Sequence, residues 1–276
     1  RGWYAMIGQL GAPLGFVLAA GLFAYLRGSL NDQEFLAWGW RYAFFVAFAI
    51  NVVALFARLR LVVGQSYSQL LNDRELQPEP VHRVLRDEGG NVLLGAFAAL
   101  ASFALFHLVT VFPLSWISLQ GSQPVTEVLA VQVVGAFLAA GGVLLSGALA
   151  DRVGRRNLLG TMAVLIGIFS LLTPWLLGSG PGGNNAFLLA GFVLLGLSYG
   201  QASGTVTSNF SPRYRYTGAA LSTDLAWLVG AAFAPLVALG LSSRFGLGAV
   251  SLYLLSGVVC TLGALRINRL IERQAS

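Results

Sequence analysis

Eight runs of mostly apolar residues, at about 3–26, 41–58, 92–117, 126–149, 158–178, 186–206, 218–243 and 247–266, leave this 276-residue chain little choice of fold. A hydrocarbon core roughly 30 Å thick takes about 20 helical residues to cross, and it offers no water to unpaired backbone groups. Each run therefore reads as a membrane-spanning helix, because a helix pairs its N–H and C=O groups within one segment. Composition agrees: mean hydropathy is +0.73 and only 10% of residues are charged, where a soluble domain carries about 25%. The expected class is an all-α polytopic membrane protein with eight transmembrane helices.

Every basic residue is an arginine, and the arginines cluster between the apolar runs. If the N-terminus lies inside, all of them except Arg27, Arg41 and Arg244 fall on the cytoplasmic side. This bias places both termini in the cytoplasm. The net charge of +6 is then a topology signal, and no nucleic-acid partner is expected, since the arginines do not line one polar face. One cysteine, Cys260, and two separated histidines, His82 and His107, suggest no disulfide, metal, cofactor or catalytic residue. Arg1-Gly2 leads straight into a segment too long for a cleavable signal, with no initiating methionine, so the chain reads as the C-terminal part of something longer.

The long connection 59–91 carries Asp73, Arg74, Glu75, Glu79, Arg83, Arg86, Asp87 and Glu88 together with Pro78 and Pro80. It is either an ordinary extramembrane loop or a cytoplasmic linker, and its place after two spans and before six favours the linker. The expected organisation is a remnant of one bundle over 1–58, a linker over 59–91, a six-helix bundle over 92–266 and a cytoplasmic tail over 267–276. A compact charged turn joins the fourth and fifth spans: Gly147-Ala-Leu-Ala-Asp151-Arg152-Val-Gly154-Arg155-Arg156. Asp151 is expected to end one helix, Gly154 to allow the reversal, and the arginines to hold the turn at the headgroups. Gly178-Ser-Gly180-Pro-Gly-Gly183 fits a dinucleotide-binding glycine pattern, but no strand precedes it, so it reads as a turn.

The charged turn, with Phe35-Leu-Ala-Trp38-Gly39-Trp40-Arg41 and Phe210-Ser-Pro212-Arg213-Tyr-Arg215-Tyr216-Thr217-Gly218, resembles the major facilitator superfamily, and within it the metabolite:proton symporter family. The resemblance implies a partial major facilitator fold, helices 5 to 12 of twelve, in which helices 6, 9 and 12 lie outermost. It also implies transport of organic acids or compatible solutes by alternating access. Gly2 to Gln9 is similar to Gly218 to Asp224, each helix then reaching a proline, Pro13 or Pro235, as an internal repeat would require.

Within that frame, Asp224 lies nine residues beyond Arg215, about 13 Å into the bilayer. A bare carboxylate there costs about 2.5–3.5 kcal/mol, so Asp224 is a proton-coupling candidate, or else an acid that only hydrogen-bonds a neighbour. His107 is a second such candidate, or a neutral imidazole on a backbone carbonyl. Gln9, Gln132, Tyr199 and Gln201 are candidate substrate-binding residues. Gly147, Asp151, Arg152, Gly154, Arg155 and Arg156 form the gating motif; in the family arrangement Asp151 meets the start of the first span. Gly196, Gly200 and Gly204 form a small-residue stripe for a moving or a static helix contact. The partners expected are a small-molecule substrate, protons and the lipid bilayer. The rivals are a polytopic enzyme acting on lipids, which needs a catalytic cluster the two histidines do not make, and a truncated, non-transporting chain.

Overall fold

A computed structural model describes residues 2–62, 79–207, 210–211 and 213–275. All eight expected spans are present as helices, and no strand occurs among the described residues. The first span comprises a helix Gly2–Ile7, a 3-10 turn Gly8–Leu10 and a helix Gly11–Ser29. The second is a π turn Phe35–Gly39 leading into Trp40–Val62. The third runs Val81–Thr110 and then Phe112–Gln120. The fourth, fifth and sixth are Val125–Val153, Arg155–Gly178 and Gly180–Thr207. The seventh combines Arg215–Trp227, a π turn Leu228–Ala232 and Ala234–Phe245, and the eighth is Leu247–Ala275.

The helices start and stop where local chemistry dictates. Asn31 caps the turn before the second span: its side chain accepts from the Glu34 N–H while Glu34 reaches back to the Asn31 N–H, a reciprocal capping box. Gly154 at φ 85, Gly180 at φ 76 and Gly246 at φ 77 each sit at a tight reversal between spans, in a backbone region that only glycine occupies cheaply. The helix breaks in the first and seventh spans each precede a proline, Pro13 or Pro235, which offers no N–H to the carbonyl four residues back. The third span begins at Val81 rather than near 92, because Pro80 at φ −59 and ψ 136 starts a charged helical turn that continues into the apolar run. That turn bends at Glu88 (φ −131), just before Gly89 and Gly90. Most of the expected linker, 63–78, lies outside the described residues.

The third span is the centre of the bundle, with 72% of its most apolar stretch buried, whereas the second span has 0% buried. The second span is therefore peripheral and turns apolar side chains outward on all sides. The fifth span, expected at the periphery, is 50% buried, because it is wedged between the sixth and eighth spans. Since lipid competes for apolar surface, small residues and short polar bonds hold the helices together. Ser222 donates to the Val92 carbonyl at 3.1 Å, Thr261 to the Phe97 carbonyl at 3.0 Å and Ser170 to the Ser251 carbonyl at 2.7 Å. Each bond ties together two different spans.

Candidate functional site

The polar elements within the spans are organised by the break in the third span. Pro113 has no N–H for the Val109 carbonyl four residues earlier. The Gln132 amide of the fourth span fills the gap, donating to the Val109 carbonyl at 3.3 Å and to the Thr110 carbonyl at 2.7 Å. Gln132 is fully buried there. Gln132→Leu should leave both carbonyls without this donor and lower stability by about 2 kcal/mol, read from thermal unfolding of the purified protein in detergent.

One turn deeper, an aromatic cluster joins three spans. Phe103, Phe106 and His107 of the third span meet Tyr199 of the sixth and Trp227 of the seventh, with ring centroids 4.8 to 6.4 Å apart and mostly edge-to-face. Such pairs add roughly 0.5–1.5 kcal/mol each beyond their buried area. The His107 Nδ1 atom is buried without a hydrogen-bond partner among the described residues. Asp224 lies one helical turn before Trp227 and is exposed. The structure thus brings His107 and Tyr199 together through Phe106 and Trp227, while Asp224 stands apart from the cluster with its side chain exposed.

The remaining candidate residues are distributed around this neighbourhood. Gln201 is fully buried and donates to the Ser146 hydroxyl at 3.3 Å, between the fourth and sixth spans. Gln9 is half-buried in the 3-10 turn of the first span. Phe103, Phe106 and Trp227 were not among the residues expected from the sequence. The spacing of Phe103, Phe106 and His107 puts them on one helix face and was the available signal, but Trp227 had none.

The charged turn follows the stretch of the fourth span on which the first span packs. A side-chain carbon on Gly147 would lie 3.0 Å from Met6 Cγ and 3.4 Å from Trp3 Cα, so the missing side chain is what lets the first span close on the fourth. Asp151 does not end its helix as expected: the helix continues to Val153, and the positive φ of Gly154 stops it. An acid in the last turn has no donor role at a helix end that exposes carbonyls. Arg155 Nη1 donates to the Gly204 carbonyl at 3.3 Å, in the last turn of the sixth span, where a cation suits the negative end of the dipole. Arg152 is exposed, and Arg156 faces the eighth span across a cleft.

A second polar cluster, not anticipated, locks the start of the third span to the start of the seventh. Arg213 Nε donates to Glu79 Oε1 at 2.8 Å, and Thr217 donates to the Glu79 backbone carbonyl at 3.0 Å. Tyr214 donates to Asp87 at 2.5 Å, and Ser211 to Glu88 at 2.5 Å. The Arg213 hydrogen bond and charge hold the Glu79 carboxyl below its ordinary range, while the bond to Asp87 raises the Tyr214 hydroxyl. A lowered carboxylate contributes stability above its unfolded value, about 4.3, and loses it as pH falls through the folded value. Glu79→Gln should therefore lower the apparent Tm at neutral pH and converge with the unsubstituted protein as pH falls through the folded value of the carboxyl.

These contacts gather the charged turns at one end of the bundle, and the fold defines a multi-pass membrane protein of eight apolar helices among the described residues. The chain belongs to the Major Facilitator Superfamily, whose family model matches residues 2–225. It is 33% identical to the inner membrane metabolite transport protein YhjE of Escherichia coli K12, over 100% of this chain and 64% of that protein. It is 25% identical to the shikimate transporter of the same strain, over 96% of this chain and 61% of that protein. To the proline/betaine transporter of Salmonella typhimurium LT2 it is 25% identical, over 83% and 48%. The chain thus spans less than two thirds of the length of these relatives, and no solved structure matches it. Family and relatives are transport proteins by name, which sets aside the lipid-modifying enzyme.

Proposed function

We propose that this chain forms helices 5 to 12 of a secondary active transporter that moves a small polar metabolite with protons by alternating exposure of a central site. In this reading both of its ends lie in the cytoplasm of a bacterial inner membrane. The observation that carries the reading is the close approach of the first span to the fourth at Gly147, beside the charged turn. There a helix of one bundle rests on the hinge of the other, as a gate that closes and parts requires. Asp151 holds the closed state at the positive start of the first span, with Arg152, Gly154, Arg155 and Arg156 shaping the turn. Gln9, Gln132, Tyr199 and Gln201 belong to the wall of the substrate path.

Asp224 and His107 are the proton-coupling pair in this scheme. Titration in the path would link proton uptake to substrate movement, since a charged carboxylate within the bilayer is costly. No arginine lies deep in any of the eight spans, so this segment supplies no strong anion anchor. The aromatic faces of Phe106, Tyr199 and Trp227 favour the ammonium end of a zwitterion. That fits the kind of substrate named for the proline/betaine relative better than the kind named for the shikimate relative.

The test is uptake by the full-length protein reconstituted in vesicles under an imposed pH gradient, with labelled betaine, proline and shikimate offered separately. Asp151→Ala should slow uptake and shift the inward/outward accessibility of engineered cysteines. An unchanged rate together with unchanged accessibility would remove the gating role.

A further inference from the structure

The fifth and eighth spans part at the arginine-rich end to leave a cleft of about 700 Å³. Its mouth carries Arg156 from the first turn of the fifth span and Arg266 and Arg269 from the last turns of the eighth. Asn157 joins the two walls, its Oδ1 accepting from Arg269 Nη2 at 3.1 Å. The fifth span also begins here behind Gly154, with no side-chain cap, so the positive end of its dipole adds to the charge. No carboxylate lines the cleft among the described residues.

Further in, the walls become apolar. Val164 lies eight residues, about 12 Å, from Arg156, and Leu262 faces it from the eighth span; their side chains are 49% and 36% exposed to the cleft and its surroundings. A free anion would use only the mouth. A cationic rim above an apolar slot matches the order of an anionic phospholipid, with the phosphodiester at headgroup depth and the acyl chain below. The first span packs chiefly on the fourth and sixth spans, which leaves this pair of helices open to the lipid.

We propose that this cleft is a binding site for the phosphodiester of an anionic phospholipid, gripped by Arg156, Arg266 and Arg269 with one acyl chain lying between Val164 and Leu262. Basic pockets between spans bind anionic headgroups, and each arginine near an anionic leaflet is worth about fivefold in affinity. The inference depends on the membrane-spanning fold alone, not on what is transported.

The experiment uses the full-length protein in a neutral detergent. Phosphatidylglycerol, phosphatidylcholine or inorganic phosphate is added, with native mass spectrometry counting retained lipid and thermal unfolding giving an apparent affinity. Phosphatidylglycerol should be retained and raise the Tm, whereas the other two should do neither. Removing both charges in Arg266→Gln/Arg269→Gln should weaken phosphatidylglycerol binding about thirtyfold. Leu262→Trp keeps every charge but fills the slot, and it should also lose retained lipid. An unchanged lipid-free Tm in both variants separates lipid loss from misfolding, and Arg244→Gln at the opposite end should bind as the unsubstituted protein does. Equal binding by the double variant, equal effects of phosphatidylcholine, or reproduction of the effect by inorganic phosphate would each overturn the proposal.

Discussion

Gly196→Leu should leave no folded protein to purify, and Gly196→Ala should lower stability by about 3 kcal/mol, the upper end of overpacking costs. The reason is the crossing of the fourth and sixth spans. A side-chain carbon at Gly196 would fall well inside van der Waals contact distance of the Ala139 carbonyl oxygen and 2.8 Å from Ala139 Cα. One at Gly142 would meet the Gly196 Cα at 3.2 Å. These neighbours are backbone, so only separation of the helices relieves the clash. That separation would carry Gln201 away from Ser146 and Tyr199 away from the aromatic cluster. Gly141, the next residue along from the contact, has nothing within 4 Å, so Gly141→Ala should be neutral or slightly stabilising. The yield of Gly196→Leu and thermal unfolding of the two alanine variants in one detergent check the prediction, and equal Tm values for Gly196→Ala and Gly141→Ala would refute it.

Asp224→Asn in the full-length protein should reduce uptake driven by a pH gradient to the level of vesicles without protein, while substrate exchange without a gradient persists. Asp224 is exposed and has no hydrogen-bond partner among the described residues. It stands about 13 Å along its helix from Arg215, and no cation of the described segment lies beside it. It precedes by three residues Trp227, whose ring packs on His107 at 5.9 Å. The amide keeps the shape but cannot titrate, so it separates proton coupling from substrate passage. Gradient-driven uptake that survives the substitution would assign the coupling to another group.

The glycine and carboxylate differ in how visible they were beforehand. Gly196, Gly200 and Gly204 stand out at four-residue spacing, but nothing in that spacing names Ala139 and Ser146 as their neighbours. Gln132 was recognisable as a polar residue in an apolar run. That its amide replaces the N–H missing at Pro113 follows only from seeing the fourth span beside the third. The cluster of Glu79, Asp87, Arg213 and Tyr214 lay partly hidden, because charged residues before an apolar run read as loop although Val81 already begins the helix.

Span number, span length, the glycine reversal at Gly154 and the crowding of arginines at one end all follow from local quantities: apolar run length, missing N–H groups at proline, and the freedom of glycine. Facing is different, since a helix apolar on every side carries no stripe to say which side turns inward, and lipid accepts what protein does not. Only the tertiary structure therefore decided which glycine meets which backbone, which rings gather around His107, and that Arg156, Arg266 and Arg269, far apart in the chain, share one cleft.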